Sequence, residues 1–354
     1  MKHTCSLSGG RTSTGPLPAA LIKKYGKENV DFIFCDTGAE DKDTYRFVRD
    51  AEKLHGVKIT CLKLVMPKEK GKGCTYIQCT TDDIKQDLFA WKQLSAKYGN
   101  PFIPGGKFCT NEMKTVIYSK YCKDTYGKGN FYTWLGYRYE EGNRIWGRDA
   151  SNALGKLDLS NIEKTEFFLD CLTGNTEKLL DEYFPSIFPS IEDEKQKNYI
   201  RKSLKTTSDK NFRYMPEVCE LVKSEVIGWW SGNELDLQIA DHLGNCLFCM
   251  EKPPGTVMLA IKDRPGEAKE FLQAVESDDV AKKDRKEAFD VMYRNGTTFR
   301  WLYEKAQKLT RDEILQMSQA GKKIAKKNSC AGGECSPFGT IHEDQIDLFV
   351  SASD

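Results

Sequence analysis

Residues 2–13 read KHTCSLSGGRTS. An alternating, apolar-leaning run stops at two glycines, and an arginine followed by hydroxyl residues opens the next element. The segment reads as a strand, a tight turn and the start of a helix. Working outward, PLPAALIKKYG (16–26) has Pro near its start and Gly after its end, which predicts a short helix. VDFIFCD (30–36) is a continuous apolar strand. DTYRFVRDAEKLHG (43–56) has helical spacing and a terminal Gly, and VKITCLKLV (57–65) is another strand. The order β-α-β-α-β predicts an α/β fold with a parallel sheet covered by helices on both faces. In such sheets ligands bind beyond the carboxyl ends of the strands, where both SGGRTS and DTGAED (36–41) lie.

The rest of the chain is more helical. Residues 82–99 and 110–126 have helical spacing, and FYTWLGYR (131–138) reads as a further strand. Residues 151–210 are charged and helical in period, with FPSIFPS in the middle, which predicts a helical insertion. An apolar strand is expected over YMPEVCEL (214–221) and a helix over KSEVIGWWSGN (223–233). Further helices are expected over PGEAKEFLQAVE (265–276), RKEAFDVMYRN (285–295) and TRDEILQMSQAGKKIAKK (310–327). There is no internal repeat. The expected organisation is a nucleotide-binding core over 1–150, an insertion over 151–212, the remainder of the core over 213–245 and a helical, cysteine-bearing region over 246–354.

Composition narrows the class. Among 354 residues, 39% are hydrophobic and 30% charged, enough for a sizeable core. No apolar run approaches the roughly 18 to 20 residues of a membrane span, and residues 2–8 read as a strand of the fold, not a signal segment. The expected location is the cytoplasm, with no membrane partner. A net charge of +1 is low for a dedicated nucleic-acid binder. The basic runs PKEKGKG (67–73) and GKKIAKK (321–327) read as a solvated loop and a solvated helix face. Thirteen cysteines in a cytosolic chain read as reduced thiols, metal ligands or catalysts. Cys5, Cys35 and Cys61 sit in strand-like runs, where a thiol serves as a small hydrophobe.

Ser8, Gly9, Gly10, Arg11, Thr12 and Ser13 offer backbone N–H groups and hydroxyls that can hold an anion, and glycine lets the backbone approach it closely. The same residues also suit an ordinary capped turn. The pattern is neither a Walker loop nor GxGxxG. Asp36, at a strand end, can hold a ribose hydroxyl, a base or Mg2+, with Thr37 and Gly38 beside it.

Together these pieces resemble the PP-loop adenine nucleotide α hydrolase family, whose loop reads SGGxxS. More narrowly, they resemble its phosphoadenosine phosphosulfate (PAPS) reductase-like branch, with a DTG-x-E-type second motif. That branch usually has Lys-Asp inside the loop, where this chain has Arg11-Thr12. KFCTNEMK (107–114) is similar to the branch's Cys-Cys-x-x-[RK]-K segment, with Phe108 in place of the first cysteine. GYRYEEGNR (136–144) is similar to its G-x-R-x-x-[ES]-x-x-R segment. MPEVCELVKSEVIGWW and GNCLFC (244–249) resemble the stretch ending in a Gly-x-Cys-x-x-Cys pair. The resemblance implies a Rossmann-like PP-loop fold and a bound adenine nucleotide, ATP or a sulfonucleotide (PAPS or adenosine phosphosulfate). From the residues, Arg138 can meet phosphate or sulfate with two parallel hydrogen bonds. Lys114 and Arg144 can complete a cationic pocket, and Glu141 can orient Arg138 or ligate Mg2+. A surface ion pair is the commoner fate of such side chains.

Cys246-x-x-Cys249 is half of a metal site, and SCAGGECSP adds Cys330 and Cys335. Four thiolates suit zinc or a 4Fe–4S cluster. The resemblance favours iron–sulfur, since members of this branch and the related DNA phosphorothioation sulfur-transfer proteins carry such clusters. In a second partition Cys109, Cys246, Cys249 and Cys330 hold the metal, leaving Cys335 as a nucleophile in a partial echo of the reductases' Glu-Cys-Gly tail. These features admit three functions. The first is adenylation-dependent sulfur transfer with pyrophosphate release, served by a sulfur-donor protein or thiol reductant, with nucleic acid as one acceptor; Asp36 and Arg138 carry its chemistry. The second is sulfonucleotide reduction through Cys335. The third is non-catalytic nucleotide sensing or scaffolding. Trp229, Trp230 and Trp301 suit base stacking or, more commonly, a core. The oligomeric state is not written in these residues.

Overall fold

The computed structural model describes residues 1–67, 73–103, 108–157, 159–187, 193–282 and 288–318. Its frame is a six-stranded sheet: β1 (Lys2–Leu7), β2 (Val30–Asp36), β3 (Ile59–Val65), β4 (Thr75–Cys79), β5 (Phe131–Leu135) and β6 (Phe212–Tyr214), in the order β4-β3-β2-β1-β5-β6. Pairing is parallel throughout except at β4, which lies antiparallel on β3. The chain moves outward from β1 through β2 and β3 to one edge, then returns to the far side of β1 for β5 and β6. The order therefore reverses at β1, and a crevice opens beyond its carboxyl end.

Alternation along the strands builds two cores. On one face Cys5, Leu7, Phe32, Phe34 and Cys61 pack on Leu17 and Leu21 of α2 (Pro16–Tyr25) and on Tyr45, Val48 and Ala51 of α3 (Lys42–His55). On the other, Ile33, Cys35, Leu62 and Leu64 pack on α4 (Phe89–Tyr98) and α6 (Ile117–Tyr126). The same cluster takes in α12 (Pro254–Asp263), α13 (Pro265–Val275) and α14 (Phe299–Lys308). The described helices after residue 250 thus share a core with the sheet. A third cluster joins α7 (Gly142–Leu154), α8 (Asn161–Thr173) and α10 (Asp193–Asp209) to Leu135 and Tyr214. This helical cluster starts before residue 151, with α7, and continues by way of α9 (Thr176–Ile187) to α10.

Local chemistry sets the boundaries. The Asp41 carboxylate accepts the Asp43 N–H at 2.9 Å to start α3, and Gly56, left-handed at φ 59°, ends it. The helix expected over 82–99 covers only 89–98. Asp83 takes the Thr80 N–H and hydroxyl at 2.8 and 2.7 Å, and Asp87 takes the Phe89 N–H at 2.9 Å, so local bonds replace the helical ladder. The strand expected over 131–138 stops at Leu135. The strand expected over 214–221 is a correction: only Tyr214 is in β6, and Met215–Glu217 is a 3-10 turn around Pro216, which has no N–H to give the sheet. Of RKEAFDVMYRN, residues 288–295 are not an α-helix. Asn295 (φ 57°) and Gly296 (φ 67°) form a turn that returns the Thr297 carbonyl to the Tyr293 N–H at 3.1 Å. β4 was not expected from the sequence, and α12 and α14 lie in the region expected to be helical without having been delimited there.

Candidate functional site at the reversal of the sheet

The loop after β1 is closed by its own hydroxyls. Gly9 has φ 74°, and a Cβ there would meet Thr44 Cγ2 at 2.5 Å, so glycine is required twice over. The Ser8 and Ser13 hydroxyls lie 2.7 Å apart, and Ser13 Oγ also accepts the Ser8 N–H at 3.0 Å. A short helix α1 (Arg11–Thr14) comes next and breaks at Gly15 before α2. The Arg11 guanidinium turns away from the loop. It donates to both Asp236 carboxylate oxygens at 2.7 and 3.0 Å and to the Leu237 carbonyl at 2.5 Å.

Asp36 ends β2 beside this loop. Its side chain is fully buried, and Oδ1 accepts from the Gly38 N–H at 2.8 Å and the Tyr45 hydroxyl at 3.0 Å. Oδ2 lies 3.3 Å from the Lys63 ammonium, an ion-pair distance, but accepts no well-directed hydrogen bond. Burial pushes the Asp36 pKa up, against the Gly38 N–H and Lys63, which pull it down. Thr37 donates to the Glu40 carboxylate at 3.4 Å. Gly38 has φ 69°, and a Cβ there would lie 2.9 Å from the Leu88 nitrogen.

The third wall comes from β5. A Cβ on Gly136 would meet Ser13 Cα at 2.8 Å, so this glycine lets the strand end close on the loop. Two residues on, Arg138 Nη1 reaches the Thr12 hydroxyl at 3.4 Å, while its Nε donates to Glu140 at 2.8 Å. Glu141 accepts the Arg138 N–H at 2.8 Å and a bond from Arg144, whose guanidinium lies 4.3 Å above the Tyr137 ring. Glu141 thus holds the Arg138 backbone, and its Oε1 lies 3.5 Å from the Arg138 guanidinium. Lys114 sits on a π-helical segment, Asn111–Val116, which links the short α5 (Phe108–Thr110) to α6. Such wide turns recur at functional sites. Lys114 shares a narrow pocket with Leu7, Ser8, Phe34, Cys35 and Tyr118, and its ammonium lies 3.4 Å from Glu40 Oε1.

The cysteine turn docks on the DTGAED loop. The Leu247 N–H bonds the Ala39 carbonyl at 2.9 Å, and Cys246 Sγ lies 3.5 Å from Glu40 Oε1 and 3.6 Å from Thr37 Oγ1. The Cys249 N–H closes the turn on the Cys246 carbonyl at 3.3 Å. Cys246, Cys249 and Cys109 are each half-buried. Cys330 and Cys335 lie outside the described residues. Among the described residues no three His, Cys, Asp or Glu side chains are grouped to hold a metal ion.

Four contributors had no role in this site assigned from the sequence, although Glu40 and Gly136 lie inside the DTG-x-E-type and G-x-R-type segments. Glu40 is completely buried between Lys114 and Cys246. Asp236 holds Arg11. Trp230, at the end of α11 (Lys223–Trp230), donates its indole N–H to the Arg11 carbonyl at 3.1 Å. Its ring packs where a Gly15 side chain would stand. Gly136 falls inside the segment expected as a strand, directly after the apolar run, and is the first residue of the G-x-R-type segment. Trp229 and Trp301 are partly exposed, whereas Trp230 is core.

No protein-family model matches the chain. No solved structure matches it either. The chain is similar to a protein of Escherichia phage lambda, the uncharacterized nin region protein ORF290, at 29% identity over 297 residues. The match spans 83% of this chain and 81% of that one. No helix among the described residues is long and apolar enough to cross a membrane.

Proposed function

We propose that the chain binds an adenine nucleotide, ATP or a sulfonucleotide, across the carboxyl ends of β2, β1 and β5. In this reading it carries out adenylation-dependent sulfur transfer of the PP-loop, PAPS reductase-like kind. The observation that carries the reading is the convergence, at the one reversal in strand order, of the Ser8–Ser13 hydroxyl pair, buried Asp36 and the Arg138–Thr12 contact. In this reading Ser8, Ser13 and the Gly9–Gly10 backbone receive phosphate oxygens. Arg138 supplies the charge at the loop. Arg11, spent on Asp236, instead fixes the loop's shape. An acceptor oxygen attacking the α-phosphorus breaks the bond to the bridging oxygen, and pyrophosphate leaves with the bonding electrons. Arg138 and Lys114 are the cations that offset its growing charge. Sulfur from a donor then displaces AMP from the activated acceptor, for which nucleic acid is one candidate class.

Cys246 and Cys249 on one turn suit half of a zinc or 4Fe–4S donor set. A cluster there would supply electron transfer or a sulfur-binding iron, and no step above passes through it. Iron, sulfide and zinc analysis of anaerobically purified protein, repeated on Cys246→Ala and Cys335→Ala, tests the set. Metal retained in both variants removes it.

The nucleotide reading is tested by calorimetric titration with ATP, PAPS and adenosine phosphosulfate. The Ser8→Ala/Ser13→Ala variant is expected to lose roughly tenfold or more in affinity, as two hydrogen bonds to charged phosphate oxygens are removed. Binding equal to wild type, or no binding by wild type, overturns it. Pyrophosphate release from ATP supports sulfur transfer. Sulfite release from PAPS with a thiol supports the reductase reading instead.

A further inference from the structure

Glu40 is wholly buried, yet its two carboxylate oxygens are treated unequally. Oε1 faces the Thr37 hydroxyl at 3.4 Å, the Lys114 ammonium at 3.4 Å and the Cys246 thiol at 3.5 Å. Oε2 is buried without a hydrogen-bond partner. The Lys114 contact is longer than the roughly 2.7–2.9 Å of a tight charge-assisted bond. A buried carboxylate left this way is under-satisfied, and each donor competes for the same oxygen. One competitor, Lys114, lines a small cavity with Ser8, the first residue of the glycine loop. Another, Cys246, belongs to the cysteine turn, whose backbone is tied to the same loop through Leu247 and Ala39.

We propose that Glu40 is a positioning residue that couples Cys246 to the nucleotide pocket. It divides its oxygen between the thiol and the ammonium, and so sets how much of the Lys114 charge the pocket receives. When Cys246 turns to another partner, Glu40 holds Lys114 more firmly and the pocket loses cationic charge. The state of the cysteine turn is thereby read out as nucleotide affinity, and by linkage the nucleotide is read out at the cysteine turn. The inference rests on the nucleotide reading above.

The test is ATP affinity across a mutant cycle, measured by calorimetry. Glu40→Gln, which keeps the shape and removes the charge, is expected to tighten ATP roughly fivefold or more. Cys246→Ala, which removes a donor, is expected to weaken ATP by a comparable factor, while Cys246→Ser, which retains one, leaves it near wild type. In the Glu40→Gln background Cys246→Ala is expected to have no effect. A Cys246→Ala effect of equal size in both backgrounds overturns the coupling, as does indifference of ATP affinity to Glu40→Gln. Either result, with Ser8→Ala/Ser13→Ala still impaired, leaves the nucleotide reading standing. Wild-type protein that binds no ATP or sulfonucleotide removes both. Should Glu40→Gln fail to fold, Lys114→Ala serves as the background: Cys246→Ala must then leave ATP affinity unchanged, and a change overturns the proposal.

Discussion

Asp36 is a charged group held where charge is disfavoured. Its folded pKa is raised above the ordinary value of 3.8, chiefly by burial. Between 3.8 and the raised folded value the native state binds the extra proton, so stability falls as pH rises through that window. Above it the full cost of the ionised carboxylate is present. Asp36→Asn keeps an oxygen for the Gly38 N–H and the Tyr45 hydroxyl and removes the charge. The variant is expected to melt above wild type at pH 7, with the difference shrinking as pH is lowered toward 3.8, and to bind ATP more weakly. Paired thermal melts from about pH 4 to 8 check this; a lower melting temperature at pH 7 contradicts it. Gly136 is a second sharp test. Gly136→Ala would press its methyl on Ser13 Cα at 2.8 Å, backbone that cannot move aside cheaply. Overpacking of this kind costs about 1–3 kcal/mol, and the expected readout is a lower melting temperature with weaker ATP binding. Unchanged values would show that β5 can part from the loop. At this scale the sequence was most legible where a residue's role is local. Ser8, Gly9, Ser13 and Asp36 lie beside strand ends that periodicity reveals. Glu40 was visible only as part of the DTG-x-E-type segment, and Asp236 not at all, because their decisive partners, Cys246 and Arg11, are more than 200 positions away in the chain.

At the scale of elements, α11 and the residues after it act as a clamp on the loop. Trp230 bonds the Arg11 carbonyl, Asp236 takes the Arg11 side chain, and the Asp236 carbonyl accepts from Arg46 of α3 at 2.7 Å. Trp230, only 2% exposed, packs with Phe47, Val226 and Leu237 in a small core of its own. Trp230→Ala is expected to cost about 3–5 kcal/mol and to weaken ATP binding, because the emptied space lies against Gly15 and α1. Trp230→Phe keeps most of the packing and loses the indole N–H, at a cost of about 1 kcal/mol. Urea unfolding and ATP titration on both variants separate packing from the hydrogen bond. A destabilised Trp230→Ala with wild-type ATP affinity would show that the clamp does not shape the loop. The helix of this clamp was legible from its spacing, and a core role was the commoner expectation for its tryptophans, but neither which of the two is buried nor where it docks is written in the local pattern. Helical structure around Lys114 was expected, but not the π-helical segment, because periodicity over so few residues does not distinguish the two windings.

For the whole molecule, the strand order turns a local pattern into a site. The first three strands and their crossovers could be read from apolar runs, caps and glycines. The side of β1 on which β5 and β6 pair could not, because register between distant segments leaves no local periodicity. Nor could the sequence show that α12 to α14 cover the sheet face made by Ile33, Leu62 and Leu64. The shared core predicts that a chain ending at Met250 will not fold cooperatively. It would leave that face, with Trp91 and Leu94 of α4, uncovered by Val257, Ile261, Phe271, Phe299 and Leu302. A domain is stable by only about 5–15 kcal/mol in total, and each of those large side chains contributes about 1.5–3 kcal/mol by burial. The expected outcome is dye binding to exposed apolar surface and loss of a single unfolding transition. The insertion provides the contrast, because Phe168 sits in the cluster of α7, α8 and α10 beyond β5. Phe168→Ala is expected to cost about 3–5 kcal/mol while leaving ATP affinity unchanged in the folded fraction. A truncated chain that melts cooperatively and binds ATP would make the region after residue 250 an appendage, with the sheet face covered by α4 and α6 alone.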